Sequence, residues 1–142
     1  MNRFAALIGV SLMTSSPGYA QSAHDVLGAP GVVPLESQPA PKLIVDPPLP
    51  GPLSFGRVVI QYRAENLRIV PVFGMKALEV SPRIGHVHVT IDDLPWHWAD
   101  ASGEPLILNG FPPGRHKVLI QLVDANHKPF TGVVQEFIVP AL

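Results

Sequence analysis

The apolar residues of this chain come in short runs with a period near two, and this pattern limits the available folds more than any other feature. From Ser54 onward, Gly, Pro, Asn and Asp separate the runs about every eight to twelve residues. No run is long enough for an amphipathic helix, whereas alternation broken by frequent turns is typical of a sandwich or barrel. The candidate strands are 57–62, 67–73, 76–80, 86–91, 105–108, 116–123 and 133–139. We therefore predict an all-β fold, an immunoglobulin-like antiparallel β-sandwich of about seven strands.

The first 20 residues have the pattern of a secretory signal peptide. Arg3 precedes the apolar stretch 4–13, and Gly18 and Ala20 supply the small residues of a cleavage site. A membrane-spanning helix needs about 20 apolar residues, which is about twice the length of this stretch. We expect cleavage after Ala20 and a periplasmic or secreted protein with no membrane span.

A proline-rich segment follows the predicted signal peptide. Residues 21–52 contain eight of the 17 prolines, a composition that favours extended chain and builds no core. We predict a flexible arm at 21–52, in which His24 is a linker residue, and a folded domain at 53–142. The alternative is that the arm lies along the domain, with residues 43–45 adding a short edge strand.

Charge and cysteine content restrict the partners of the protein. Ten Lys and Arg residues against eleven Asp and Glu residues give a net charge of -1, so there is no basic face for nucleic acid. The chain has no cysteine. Disulfides, thiolate nucleophiles and iron–sulfur clusters are therefore excluded, and imidazole and carboxylate are the strong metal ligands that remain. The six histidines become the main candidates for chemistry.

Two histidines lie two residues apart in a predicted strand. His86 and His88 then point to the same face, with Cα atoms about 6.6 Å apart, and two imidazoles so placed can chelate one zinc or copper ion. His127 follows the predicted strand 116–123 in a turn, from which it can reach a neighbouring strand end. We expect His116 or Asp92 as the fourth ligand. For His116, alternation favours a core or rim position over metal ligation, because it places the residue on the buried face of its strand.

A second candidate site is the sequence Trp96-His97-Trp98. In extended chain the two indoles lie on one side and the imidazole on the other. We interpret the indoles as a cap over the open end of the sandwich. The alternative is a ligand-binding platform for a sugar ring or a cation, formed by these three residues.

Three short sequence motifs lie one after another along the chain. They are G-H-V-H-V-T-I-D-D-L-P-W-H-W at 85–98, P-P-G-R-H at 112–116 and D-A-N-H at 124–127. Together they resemble an uncharacterised bacterial family of small secreted proteins, over most of residues 57–139. The resemblance implies an exported sandwich in which the histidines recur together, and it implies no activity.

Three functions are compatible with these residues. The favoured one is a non-enzymatic exported protein that binds copper or zinc. The second is a cupin-like metalloenzyme, since H-x-H, an acid and a P-x-G motif followed by His occur in the order of cupin ligands. Asp92 is at the position where cupins have Glu, however. The spacing between the glycine of the P-x-G motif and the following histidine is also one residue shorter than in cupins. The third is a module that binds an envelope polymer or another exported protein through Trp96 and Trp98.

Overall fold

The structure is a computed structural model that describes residues 33–34 and 38–141. The predicted signal peptide and residues 21–32 and 35–37 of the predicted arm, His24 included, lie outside these residues. Within them, no helix has both the length and the hydropathy needed to cross a bilayer.

The described chain is mostly β-structure, which confirms the all-β prediction. Its strands are β1 (Val33–Pro34), β2 (Lys42–Val45), β3 (Val58–Ile60), β4 (Tyr62–Glu65), β5 (Arg68–Ile69), β6 (Val80–Ser81), β7 (Ile84–Ile91), β8 (Trp98–Asp100), β9 (Leu106–Leu108), β10 (Gly114–Asp124) and β11 (Pro129–Val139). A four-residue helix, α1 (Pro50–Leu53), and a 3-10 helix, Met75–Glu79, complete the described elements. The described part of the chain therefore has eleven strands, where we expected about seven.

Strand β7 occupies the middle of a five-stranded sheet. On one edge it pairs antiparallel with β10, which in turn pairs with β11. Its other edge pairs parallel with β5 and then antiparallel with β8. The remaining strands form the pairs β1–β6, β2–β4 and β3–β9.

The hydrophobic core covers only one face of this sheet. Alternate residues of β7 and β10 are fully buried there, and they pack with β3 and β9; the set comprises Val87, Val89, Val118, Ile120, Leu122, Val58, Ile60 and Leu106. Because side chains alternate along a strand, His86 and His88 point to the opposite face. The fold thus places the histidine pair outside the main core.

Two strand predictions are wrong in detail. Residues 76–79 of the segment 76–80 belong to the 3-10 helix rather than to a strand, since they are helix formers with no alternation of burial, and only Val80 lies in a strand, β6. The strand expected at 67–73 ends at Ile69. Pro71 has no N–H to donate to a ladder, and the chain leaves the sheet before it reaches Phe73.

The boundary expected at residue 53 is also too late. Strand β2 pairs with β4 from Lys42 to Val45, and the side chains of Leu43 and Val45 pack against the core. Upstream of it, the side chain of Gln38 accepts a hydrogen bond of 2.8 Å from the backbone N–H of Arg83. Residues 38–52 are therefore part of the folded domain, as in the alternative with a short added strand.

Candidate metal centre

The histidine pair on β7 is buried although it lies outside the main core. His86 is fully buried and His88 is 9% exposed. The neighbouring strand β10 flanks them, with Val123 opposite His86 and Gln121 opposite His88. Burial of two polar rings on the outer face of a sheet requires a cover, which the hairpin turn and a loop provide.

The turn between β10 and β11 brings a third histidine to this face. Asp124 stabilises this turn, because its carboxylate accepts hydrogen bonds from the N–H groups of Asn126 (2.8 Å) and Lys128 (2.9 Å). The N–H of His127 donates to the carbonyl of Asp124, and His127 adopts the left-handed conformation, with φ of 66°. Since Asp124 is opposite Gly85, the turn begins beside the start of β7.

The three imidazoles converge on one point. The distances are 3.1 Å from Nε2 of His86 to Nε2 of His88, 3.1 Å from Nε2 of His86 to Nδ1 of His127, and 3.0 Å from Nε2 of His88 to Nδ1 of His127. The ring centroids are farther apart, at 4.7–5.2 Å. The three nitrogens therefore lie on the facing edges of the rings.

Hydrogen bonding alone does not account for this triangle. An imidazole nitrogen has one orbital in the ring plane, which carries either a proton or a lone pair. A nitrogen in the triangle thus cannot donate to one neighbour while it accepts from the other. Three contacts of about 3 Å leave lone pairs facing each other, and a cation between them removes this repulsion.

The dimensions of the triangle fit a first-row divalent ion. Its centre is about 1.8 Å from each nitrogen, slightly less than the zinc–imidazole bond length of about 2.0–2.1 Å. An ion bonded to all three nitrogens would lie about 1 Å out of their plane, with N–metal–N angles somewhat below 100°. This is a pyramidal arrangement with all three ligands on one side of the ion.

Burial keeps the rings in the protonation state that metal binding requires. It lowers the pKa of His88 to about 4, and the neighbouring histidines add to this effect. Burial, and after it the electrostatic effect of the neighbouring His127, also lower the pKa of His86, against an opposing effect of Asp124. Both rings on β7 are therefore neutral at pH 7 and have lone pairs to donate.

Two aromatic residues pack against these rings. Phe73 makes an edge contact with His86 at 5.0 Å between centroids and lies parallel to His127 at 5.9 Å. A hydrogen bond of 2.8 Å from the N–H of Gly74 to the carbonyl of Ala125 ties its loop to the hairpin turn. The ring of His97 stacks on His88, with centroids 4.6 Å apart.

The atom Nδ1 of His86 has no hydrogen-bond partner, although it is buried. Histidine ligands of metals usually donate this second N–H to a carboxylate or carbonyl. No hydrogen bond at this atom orients the ring of His86, which packs against Phe73.

The structure does not bring His116 and Asp92 to the triad, contrary to our expectation for the fourth ligand. His116 donates from Nδ1 to the Asp92 carboxylate (2.7 Å) and from Nε2 to the carbonyl of Pro112 (2.8 Å). The hydrogen bond to Asp92 raises the pKa of His116. With both nitrogens donating, the ring has no lone pair for a metal. It also lies about 16 Å along β10 from Gln121, the residue opposite His88.

The two tryptophans have different environments. Trp98 is half-buried and packs against the core, whereas Trp96 is 53% exposed. Their ring centroids are 6.0 Å apart. The side chain of His97 points to the side opposite the two indoles. Ala99 pairs with His88, and His97, two residues before Ala99, points to the same side as Ala99.

Sequence reasoning did not find Phe73 or the stacking of His97 on His88. Phe73 belongs to a loop with no local pattern that points to the site. The position of His97 depends on the register of β8 against β7, which no residue in the sequence encodes locally. The turn after strand 116–123 is predicted from the sequence, and its hydrogen bonds to Asp124 place His127.

Comparison with known proteins adds a family. A family model described as a family of unknown function (DUF6130) matches residues 1–142. The chain belongs to the DUF6130 family. This confirms the resemblance to an uncharacterised family that the motifs predict. No curated protein and no solved structure matches the chain. The function of this DUF6130 protein therefore has to be derived from its own residues.

Proposed function

We propose that this protein is an exported metal-binding protein that holds one divalent ion, zinc or copper(II), between His86, His88 and His127. The observation that carries the proposal is the triangle of ring nitrogens, 3.0–3.1 Å apart. Among the residues that the structure describes, these three form the group whose ligand atoms lie within 4.8 Å of one another. The proposed role is binding rather than catalysis.

The donor set favours zinc or copper(II) over copper(I). Imidazole suits both divalent ions, whereas copper(I) prefers thiolate and thioether ligands. The chain has no cysteine, and Met75 is the one methionine beyond the predicted signal peptide. Met75 is 65% exposed.

Export is proposed from the signal-peptide pattern of residues 1–20.

We also propose that the sheets pack as an immunoglobulin-like sandwich, because the β3–β9 pair covers the inner face of the five-stranded sheet. In such an arrangement the triad lies on the outer face of one layer, at the end that carries the β10–β11 turn.

The test is a calorimetric titration of zinc(II) and of copper(II) into the metal-free protein at pH 7. We expect one equivalent to bind. We expect His88→Ala to weaken binding at least about 100-fold, since loss of a ligand should exceed the loss of an outer-shell partner. His127→Asn tests the third ligand on an exposed turn, because Asn tolerates the left-handed conformation that this position requires.

His116→Ala is the matched control. It removes an imidazole from the same sheet but not from the triad, so binding should be unchanged. Absence of binding, or equal affinity in the parent, His88→Ala and His127→Asn proteins, would overturn the proposal.

A second candidate function is ligand binding at the tryptophan pair, which the exposure of Trp96 favours. Trp98 is packed against the core, so Trp98→Ala should lower stability. Trp96→Ala should leave stability nearly unchanged and would abolish binding of an envelope polymer or exported protein in a pull-down. If Trp96→Ala has no effect on any captured partner, this second function is wrong.

A further inference from the structure

The three histidines occupy only one side of the ion that they would hold. An ion with bonds of about 2.0–2.1 Å lies about 1 Å above the plane of the nitrogens, so its opposite hemisphere is free of these ligands. Zinc and copper(II) take at least a fourth ligand. The identity of that ligand determines what the site can do.

The described His, Asp and Glu side chains do not supply a fourth donor. No other His, Cys, Asp or Glu in the described part of the chain joins the group of ligand atoms. Asp124, the carboxylate of the same turn, has Oδ1 engaged by two backbone N–H groups. His97 contacts the triad through the face of the His88 ring, with the two planes 29° apart.

The charge of the site favours an anion in the free position. Three neutral imidazoles leave the double positive charge of the ion uncompensated by its own ligands. Such a charge stabilises an anionic ligand strongly, as the lowered pKa of zinc-bound water shows. The triad also opens toward solvent on one side, because His127 is exposed whereas His86 is fully buried.

Aromatic rings pack beside the three ligands without closing the site. Phe73 lies against His86 and His127, and His97 lies against His88. Phe73 is 50% exposed, and His97 and His127 are exposed as well, so solvent reaches this side of the triad. A four-coordinate ion held by three imidazoles has one free position, which a single donor atom fills.

We infer that the metal centre keeps an exchangeable coordination position that takes a small monodentate anion, of the class of hydroxide or azide. This inference depends on the proposed function, because it needs the ion to be bound by the triad. It goes beyond that function by assigning the site a ligand of its own.

The test uses cobalt(II) as a spectroscopic substitute for zinc and azide as the probe anion. Cobalt(II) is first bound to the metal-free protein, and the amount bound is measured by equilibrium dialysis. Sodium azide is then added while the visible absorption bands of cobalt are recorded, with sodium perchlorate at equal ionic strength as a weakly coordinating control. We expect a saturable shift of the bands with azide and none with perchlorate.

Two histidine variants check for a protein-derived fourth ligand. His97→Phe keeps an aromatic ring against His88 but has no donor atom, and His24→Ala removes the one histidine outside the described residues. Both should have the azide-free spectrum and the azide response of the parent protein. An altered azide-free spectrum in either variant would overturn the inference, because that histidine would then be the fourth ligand.

The outcomes separate the two proposals. Bound cobalt whose spectrum does not respond to azide would overturn the open position and leave the metal-binding function standing. Cobalt that does not bind, or that binds equally well to His88→Ala, would overturn both. Bound cobalt that responds to azide, with His88→Ala binding no cobalt, supports both.

Discussion

His88 links the chemistry of the candidate site to the stability of the metal-free protein. Its pKa is lowered to about 4 in the folded chain, chiefly by burial. In the unfolded chain its pKa returns to about 6.5. The unfolded state therefore binds a proton in a range of pH where the folded state does not.

This difference predicts the direction of the pH dependence. A group whose pKa is depressed by folding contributes full stability above its unfolded pKa and loses it as pH falls. The melting temperature of the metal-free protein should therefore decrease between pH 6.5 and about 4. Calorimetric melting curves at several pH values measure it.

His88→Leu is the variant that isolates this effect. Without the titrating ring, the decrease in this pH range should become smaller. His116 does not interfere, because its pKa is raised by Asp92 and its contribution is lost only as pH rises above about 6.5. An unchanged pH profile in His88→Leu would show that burial does not control the protonation of His88.

At the scale of single residues, the sequence predicts the ligands that depend on local geometry. His86 and His88 share a face because they are two residues apart in a strand, and His127 lies in a recognisable turn. His116 could not be placed in the same way. Its environment is decided by contacts with Asp92 and Pro112, which lie 24 and 4 residues away along the chain.

At the scale of elements, the register between β7 and β10 assembles the triad. This register places Val123 opposite His86 and Asp124 opposite Gly85. The two strands approach each other closely at Gly85, where a Cβ atom would lie 2.1 Å from the carbonyl oxygen of Val123. No side chain fits there without a shift of the backbone.

Gly85→Ala should therefore destabilise the protein by about 2–3 kcal/mol, the upper part of the range for overpacking, because the obstacle is backbone. It should also weaken metal binding, since the start of β7 must move relative to the turn that holds His127. Urea unfolding measures the first effect and calorimetric titration the second.

Gly51→Ala is the control for this substitution. A Cβ atom at Gly51 has no neighbour within 4 Å. The change should alter stability by no more than about 0.5 kcal/mol. Equal effects of the two substitutions would mean that β7 and β10 do not approach as described.

Element prediction from the sequence succeeds where strands are long and alternate. The predicted strands 116–123 and 133–139 lie within β10 and β11, and 86–91 lies within β7. The short strands β2 and β8 depend on their partners β4 and β7 rather than on a pattern of their own. Periodicity alone therefore identifies the sheet that carries the triad, but not the elements that cover it.

At the scale of the whole molecule, the two faces of the five-stranded sheet have different roles. One face packs on the hydrophobic core and thereby stabilises the fold. The opposite face carries the histidines beneath a loop and a turn. Strand β2 belongs to the core side, because Leu43 and Val45 pack there.

This assignment predicts the result of shortening those two side chains. Leu43→Ala and Val45→Ala should each lower the free energy of unfolding by about 1–2 kcal/mol, less than for fully buried sites because both positions are only partly buried. Zinc binding should be unaffected. Ile107→Ala is the control, since Ile107 is 62% exposed and should tolerate the change. Wild-type stability in both β2 variants would show that residues 42–45 do not belong to the folded domain.

The proposed metal centre holds one divalent ion between His86, His88 and His127. Anomalous diffraction at the zinc absorption edge, from crystals of the zinc-loaded protein, locates the ion directly. We expect one strong peak about 2.0–2.1 Å from Nε2 of His86, Nε2 of His88 and Nδ1 of His127. A zinc-loaded crystal with no peak among these three nitrogens, or with its zinc at other residues, would contradict it.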